Sequence, residues 1–473
     1  SKERLQLNKT ANYVVFAAIV IATFLTVINS NMVRLASPHL QAELNVSYSN
    51  LSWVFNSYQI AYAILLPVFG LIGDKFGRKY YLVAGVAIFG LGALLAGLAW
   101  DFTSLVIFRT LQAVGAAAIY PNALVAGTGL FPPEHSGKVM GIWGMAVSMA
   151  SVLGPTIGGF IVQYLGWQYI FFMNVPFAVL SSLIIHFMFK SDRRKPQEFH
   201  FDYRGTVILG AMIILLIAGL QAGSEGGWSS PRAMIMLAGF AACLPLFKKI
   251  EENCDQPVID LEMFRNRAFL SAVYVGCVHL IAIQGLQFLM PIYLASVKGF
   301  DAVKIGFMLL PQAIVRLAVS PIAGMLEDRF GPKVPIAAGL AIRSLALASI
   351  GLLTPHSTNT VITLTLLLDG LGAALMWSPS LNAAINSSPK EKASSATGLF
   401  NTIRLIAAST SMVLVGLAMD KLFTAAPQGA SGPVSGFFHV YMAFATLAAV
   451  GLITTRYLKV HTPEEERVKL LQR

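Results

Sequence analysis

The sequence reads as long apolar runs separated by short polar breaks, with the polar residues gathered in the breaks rather than alternating along the runs. A helix needs about 20 apolar residues to cross a hydrocarbon core of about 30 Å, whereas a membrane-barrel strand would show about ten residues of alternating polarity. The pattern therefore predicts an all-α integral membrane protein. Run lengths and breaks give about fourteen spans. The first six lie at about 12–38, 51–71, 79–99, 104–129, 138–163 and 168–189, a middle pair at about 205–222 and 231–247, and the last six at about 268–294, 303–325, 334–354, 360–386, 394–419 and 436–458. Charged connectors at 190–204 and 248–267 set the middle pair apart. The expected organisation is a six-helix bundle in residues 1–189, a segment at 190–267 with two additional spans, and a second six-helix bundle with a short tail in 268–473. The first run is too long for a signal-peptide core and lacks a small-residue cleavage site, so it reads as a retained span.

Composition agrees: of 473 residues, 56% are hydrophobic and 12% charged, against about 25% charged in soluble domains. The net charge of +11 would suggest nucleic acid only on a soluble basic face. With the N-terminus inside, 25 of the 34 Lys and Arg fall in cytoplasmic segments, four outside (Arg232, Lys298, Lys304, Lys421) and five within spans. That asymmetry predicts a multi-pass protein of the cell (inner) membrane with both termini cytoplasmic. Cys243, Cys254 and Cys277 lack metal-ligand spacing, no phosphate-binding GxxxxGK[ST] loop occurs, and no nucleophile and base face one another in the pattern. No enzyme activity, metal, cofactor or nucleic-acid partner is expected. Gly90, Gly92 and Gly97 lie inside an apolar run without a preceding strand and read as helix-packing glycines.

One polar break recurs. The stretch from Gly70 to Lys79, GLIGDKFGRK, returns from Gly324 to Lys333 as GMLEDRFGPK, offset by 254 residues throughout (74 to 328, 77 to 331, 79 to 333). Each copy follows the second span of a six-span block, on the expected cytoplasmic face. Parallel repeats of this kind build secondary transporters that rock two bundles around a central site. An acid at a span's end pairs with nearby cations and with a helix N-terminus. Gly70, Asp74, Gly77 and Arg78, with Asp328 and Arg329, are therefore candidates for a cytoplasmic gate; a topology-fixing turn is the plainer alternative. Pro332 stands where the first copy has Arg78, so the first copy is expected to contribute most of the latch. Gly154, Pro155, Gly158 and Gly159 fit either close helix packing or a hinge.

These residues resemble the major facilitator superfamily, and the span count resembles its fourteen-helix drug:proton antiporter family, over essentially the whole chain. The recurring turn is similar to the superfamily's G-x-L-x-D-R-x-G-R-K loop, with Ile72 and Lys75 replacing the usual Leu and Arg. Leu105 to Gly115, LVIFRTLQAVG, resembles the fourth-span signature with its buried arginine. Gly154 to Gly159, GPTIGG, resembles the fifth-span antiporter motif, and Gly398 to Arg404, GLFNTIR, the penultimate helix of the fourteen-helix group. The resemblance implies the major facilitator fold, with two six-helix bundles plus two inserted helices. It also implies secondary active export of small amphipathic compounds, of the multidrug and antibiotic-resistance type, by alternating access in a monomer, with the proton as coupling ion. The alternatives are an exporter of an anionic metabolite, siderophore or lipid-like solute with different coupling, or a transporter-like membrane sensor.

Ionisable residues inside spans are costly and mark pathways or buried pairs. Here five are arginines, Arg34, Arg109, Arg316, Arg343 and Arg404, and the one clear acid is Asp369. The family's first span carries a pattern like L-D-x-T-x-V-N-x-A-L-P, whose Asp is linked to proton coupling. The aligned stretch from Ile28 to Pro38, INSNMVRLASP, has Asn29 in its place. Natural divergence explains this, as does a deliberate Asp-to-Asn change, and in either case Asn29 cannot titrate. Asn29, Arg34, Arg109, Asp369, Arg316 and Arg404 are thus the coupling and charge candidates. His186 and His279 read more simply as hydrogen-bonded packing residues. An arginine-rich cavity suits an anionic or zwitterionic amphiphile better than a lipophilic cation; arginines bonded to helix carbonyls are the equal alternative. Candidate cavity residues are Asn56, Gln59, Tyr62, Tyr120, Asn122 and Trp143 in the first bundle and Gln284, Gln287, Gln312, Trp377 and Asn401 in the second, with ordinary packing the alternative at each. The expected partners are a small amphipathic substrate and the lipid bilayer.

Overall fold

The computed structural model describes residues 2–131, 136–189, 202–254, 261–387, 393–424 and 432–458. The elements are α1 (Lys2–Leu35), α2 (Ser37–Leu44), α3 (Tyr48–Phe76), α4 (Arg78–Gly97), α5 (Phe102–Gly129), α6 (Ser136–Tyr164), α7 (Tyr169–Phe172), α8 (Asn174–Met188), α9 (Tyr203–Gly226), α10 (Pro231–Glu252), α11 (Arg267–Ser296), α12 (Ala302–Phe330), α13 (Lys333–Gly351), α14 (Asn359–Asn386), α15 (Ala393–Thr424) and α16 (Gly432–Thr454). Among the described residues, thirteen spans are long and apolar enough to cross a membrane, α7 and α8 forming one of them. The 29-residue α3 adds a fourteenth helix of spanning length.

Two features depart from the expected segmentation. The end of the first run folds into the separate short helix α2, started by Pro38 at its first turn and stopped by Asn45 in a left-handed conformation (φ 48°). Glu43 on α2 accepts hydrogen bonds from Trp167 Nε1 (2.7 Å) and Gln168 Nε2 (3.1 Å), which ties α2 to the turn after α6. The sixth span is interrupted at Met173. Beside the break the buried Asn174 amide donates to the carbonyls of Ile170 (2.7 Å) and Phe171 (3.3 Å), a side-chain bond that competes with the helix ladder.

The chain divides into two compact units: residues 1–46, 50–201 and 301–306 form the first, and 47–49, 202–300 and 307–473 the second. In the first, α1 packs on α5, α6 and α8, and α4 packs on α5 and α8. In the second, α11 packs on α14, α15 and α16, α13 on α14 and α16, and α9 on α10 and α15. The additional pair α9 and α10 thus belongs to the second unit. On α8, Phe177, Leu180, Leu183 and Phe187 form a stripe at helical spacing and all are exposed, as a lipid-facing surface requires.

The 254-residue repeat extends into the helices. Adding 254 to the bounds of α3 gives those of α12 (48 to 302, 76 to 330), and residues 79–97 of α4 map onto α13 (333 to 351). The glycine at the repeated turn has positive φ in both copies, 94° at Gly77 and 75° at Gly331, a conformation that penalises any residue with a Cβ. The third and fourth spans of each six-span block, α4 with α5 and α13 with α14, also cross on small residues at matched positions. A Cβ on Gly85 would lie 2.8 Å from Ala118 Cβ, and one on Gly339 would lie 2.9 Å from the Gly372 carbonyl oxygen (85 to 339, 118 to 372). Gly90 and Gly92 are likewise closed off by Ala178 and Gln112, which confirms their packing role.

Candidate functional site

Each unit encloses a buried charged centre. In the first, Arg109 on α5 is 2% exposed. Its Nε donates to the Val54 carbonyl of α3 (3.3 Å), and its Nη1 donates to Asn29 Oδ1 on α1 (3.0 Å) and Gln112 Oε1 on α5 (2.6 Å). The guanidinium lies 4.3 Å from the Tyr58 ring centroid and 5.8 Å from that of Phe171, within cation–π range. Asn29 and Gln112 are both fully buried, and Asn29 Nδ2 donates onward to the Ile170 carbonyl (3.3 Å). Arg34, in the last turn of α1, is an electrostatic neighbour of Arg109 and Tyr58.

The second centre contains a carboxylate. Asp369 on α14 and Arg343 on α13 are both fully buried, with Asp369 Oδ1 3.1 Å from Arg343 Nε. Asp369 Oδ2 accepts from Gln312 Nε2 of α12 (2.7 Å). Arg343 Nη1 lies 3.2 Å from His279 Nδ1 on α11, which fixes that nitrogen as the acceptor because a guanidinium only donates. The His279 ring stacks on Trp377 at 5.7 Å and 23°, and Arg404 covers Trp377 from 4.0 Å while donating to Asn401 Oδ1 (3.0 Å). Arg316 is an electrostatic neighbour of both Asp369 and Arg343. Arg343 Nη2 and Tyr441 Oη are buried with no hydrogen-bond partner.

The two halves of the crossing that holds this ion pair are not alike. Under the 254 offset, Arg343 corresponds to Phe89 and Asp369 to Gly115, and a Cβ on Gly115 would collide with the Phe89 backbone. The same crossing is therefore closed by backbone meeting backbone at a glycine in the first unit and by an ion pair in the second.

The repeated turn is described in part. Arg78 opens α4 and is 9% exposed; Arg329 is exposed, its guanidinium 5.2 Å from the Phe330 ring. The side chains of Asp74 and Asp328, and Gly70, lie outside the described residues. Each copy is tied to the fourth span of its six-span block by an asparagine. Asn122 on α5 sits against Gly73 and donates to Phe69 O (3.0 Å), while Asn382 on α14 donates to Glu327 Oε2 (3.1 Å). Asn122 Nδ2 is thus engaged by carbonyls of α3 and α5, and Gln312 Nε2 by the carboxylate of the ion pair. On α6, Gly154 abuts Asn31 and Gly158 abuts Met32 of α1, with Pro155 and Gly159 buried beside them.

The remaining first-unit candidates form a chain of rings. Tyr58 and Tyr62 stack at 6.1 Å, Tyr62 meets Tyr120 edge-on at 6.4 Å, and Tyr120 meets Trp143 at 5.2 Å. Asn56 and Gln59 are buried on α3, and both polar atoms of Asn56 lack a partner. In the second unit Gln284 is buried and Gln287 half-buried on α11. Sequence reasoning missed the contact that joins Arg343 to Asp369 and His279. The available signal was the offset itself, since 343 and 369 map onto positions 89 and 115, the helix contact of the other half.

A model of the Major Facilitator Superfamily matches residues 19–202 and 203–412. The chain is 30% identical over 392 residues to an uncharacterised MFS-type transporter, YhcA, of Bacillus subtilis, covering 83% of this chain and 74% of that protein. It is 29% identical over 405 residues to the tetracenomycin C resistance and export protein of Streptomyces glaucescens, covering 85% and 75%. The fold matches the crystal structure of a bacterial homologue of the human lysosomal transporter Spinster, inward-facing and unoccupied, with TM-score 0.69 at 17% identity over 96% of this chain and 99% of that one. Fourteen long helices among the described residues, halves related by one sequence offset, and a family match running through both halves lead to one conclusion: the chain belongs to the Major Facilitator Superfamily and is a multi-pass membrane transporter.

Proposed function

We propose that this transporter exports small amphipathic compounds from the cytoplasm by alternating access, driven by proton antiport, and that Asp369 carries the coupling proton. The observation that carries the reading is the Asp369–Arg343–Gln312 centre. Asp369 is the one clear acid within the spans, it is fully buried, and it faces a cation. A buried pair of this kind is a weak source of stability but a natural two-state element: a proton on the carboxylate releases the arginine, and its loss restores the pair. Asn29 takes no proton, so the first centre stays cationic through the cycle. Kinship with a resistance and export protein supports the export direction and the amphipathic substrate class. The lysine and arginine distribution supports cytoplasmic termini in the cell membrane. The turn at Asp74 and Arg78, on that face, acts as the principal latch, with Asp328 and Arg329 its weaker counterpart.

The test is transport by purified full-length protein in proteoliposomes, with ethidium and 2-naphthoate as probes and the pH gradient imposed or collapsed. Gradient-dependent accumulation of either probe supports proton-driven export; equilibration that ignores the gradient for both overturns it.

A further inference from the structure

The first centre has donors to spare and no carboxylate. No Asp or Glu occurs within the six spans of the first half, so the buried charge of Arg109 is met by two amide oxygens, one carbonyl and two aromatic faces. Each of these oxygens is already engaged by a donor. On the donor side, Gln112 Nε2 is fully buried with no partner, and Arg109 Nη2 has no hydrogen bond among the described residues. The Gln112 amide is held in this orientation because its oxygen faces the guanidinium, so turning it over would set donor against donor. A buried cation with unspent donors calls for an anionic acceptor. From the Tyr58 ring beneath Arg109, the aromatic series continues through Tyr62 and Tyr120 to Trp143. Trp143 is fixed by its Nε1 hydrogen bond to Thr23 Oγ1 (3.3 Å). Tyr62, Tyr120 and Trp143 are all only partly buried.

We propose that Arg109 and Gln112 form a binding subsite for the anionic head of an aromatic amphiphile, whose ring system lies along Tyr58, Tyr62, Tyr120 and Trp143. The inference deepens the export reading and rests on it for its purpose. Asn29 is central to it. An acid at position 29 would occupy the guanidinium from within, whereas the amide positions Arg109 and leaves its charge for a ligand. The ligand class is an aromatic carboxylate, sulfonate or phosphate rather than a lipophilic cation.

The test uses an isosteric pair, 2-naphthoate and 2-naphthyltrimethylammonium, titrated calorimetrically into the full chain in detergent. The wild type is expected to bind the anion at least tenfold more tightly than the cation. Arg109→Gln should lose at least tenfold in anion affinity with no change for the cation. Asn29→Asp should weaken the anion by about tenfold, a loss of about 1.4 kcal/mol. Because Arg109→Gln risks misfolding, Gln112→Leu is the second variant; it keeps the guanidinium and should weaken the anion several-fold at an unchanged thermal midpoint. Equal or tighter binding of the cation, or unaltered anion affinity in both Arg109→Gln and Gln112→Leu, overturns the proposal. The two readings fail separately. Binding of 2-naphthoate without transport of any probe upholds the subsite and removes the export reading. Gradient-driven transport of ethidium without 2-naphthoate binding does the reverse.

Discussion

The crossing of α4 and α5 in the first unit and that of α13 and α14 in the second occupy the same place in a 254-residue repeat, yet one closes on Phe89 and Gly115 and the other on Arg343 and Asp369. The glycine version shows that this crossing needs no charge to pack. A buried ion pair there gives stability that hydrophobic residues of similar volume match or exceed, so its presence in one half alone points to a task rather than to architecture. The charged centre of the first unit sits elsewhere, at Arg109, and the acceptors it meets are amide oxygens. One half thus holds a cation met by amides that cannot titrate, and the other a cation met by a carboxylate, the group that the export proposal assigns to the proton.

The comparison is broken most severely by Asp369→Asn. It leaves Arg343 buried without its counterion, a change that costs about 3–5 kcal/mol in comparable buried pairs. It is expected to abolish gradient-driven accumulation in proteoliposomes. The double substitution Arg343→Phe with Asp369→Gly copies the first unit's crossing into the second. It should recover most of the thermal stability that Asp369→Asn loses, measured by the unfolding midpoint in detergent, while transport stays uncoupled from the gradient. Recovery of coupling would show that the pair is architectural after all.

Smaller effects test the repeated turn. Gly331→Ala places a Cβ at φ 75° and should destabilise the protein by about 1–2 kcal/mol, as should Gly77→Ala at φ 94°. Removing the tie between α12 and α14 by Asn382→Leu forfeits one hydrogen bond, expected to lower stability by about 1 kcal/mol.

The smallest effect lies at the starts of α5 and α14. In the second unit Thr358 caps α14 through its hydroxyl. In the first, Asp101 accepts from the Ser104 backbone amide (2.7 Å), and the donors on Ser104 hold its carboxyl below the usual carboxylate range. A carboxyl with a depressed folded pKa contributes fully above its unfolded value, about pH 4, and its contribution fades as pH falls through the folded value. The unfolding midpoint of the wild type should therefore slope downward with acid below about pH 4 more than that of Asp101→Asn.

Span count, the two-unit repeat and the glycine turn were legible because each is written in local pattern. Apolar run length sets a helix, and a positive φ demands Gly77 and Gly331. The place of Arg109 was legible too, since its stretch resembles a known signature. The partner of Asp369 was not, because a pairing between helices 26 residues apart (343 to 369) depends on which faces meet, and apolar composition on all sides hides the face. Arg343 lacked even a motif. The separate helix α2 was hidden in a run whose apolar content continued past Leu35, and only Pro38 and Asn45 marked its ends.

The central claim, that the proton is carried by the second unit and not the first, is tested most directly by pH-gradient-driven accumulation in proteoliposomes, comparing wild type with Asp369→Asn while Asn29 is left in place. Accumulation by the wild type, reduced to gradient-independent equilibration in the variant, is the predicted result. Full gradient-driven accumulation by Asp369→Asn would contradict it.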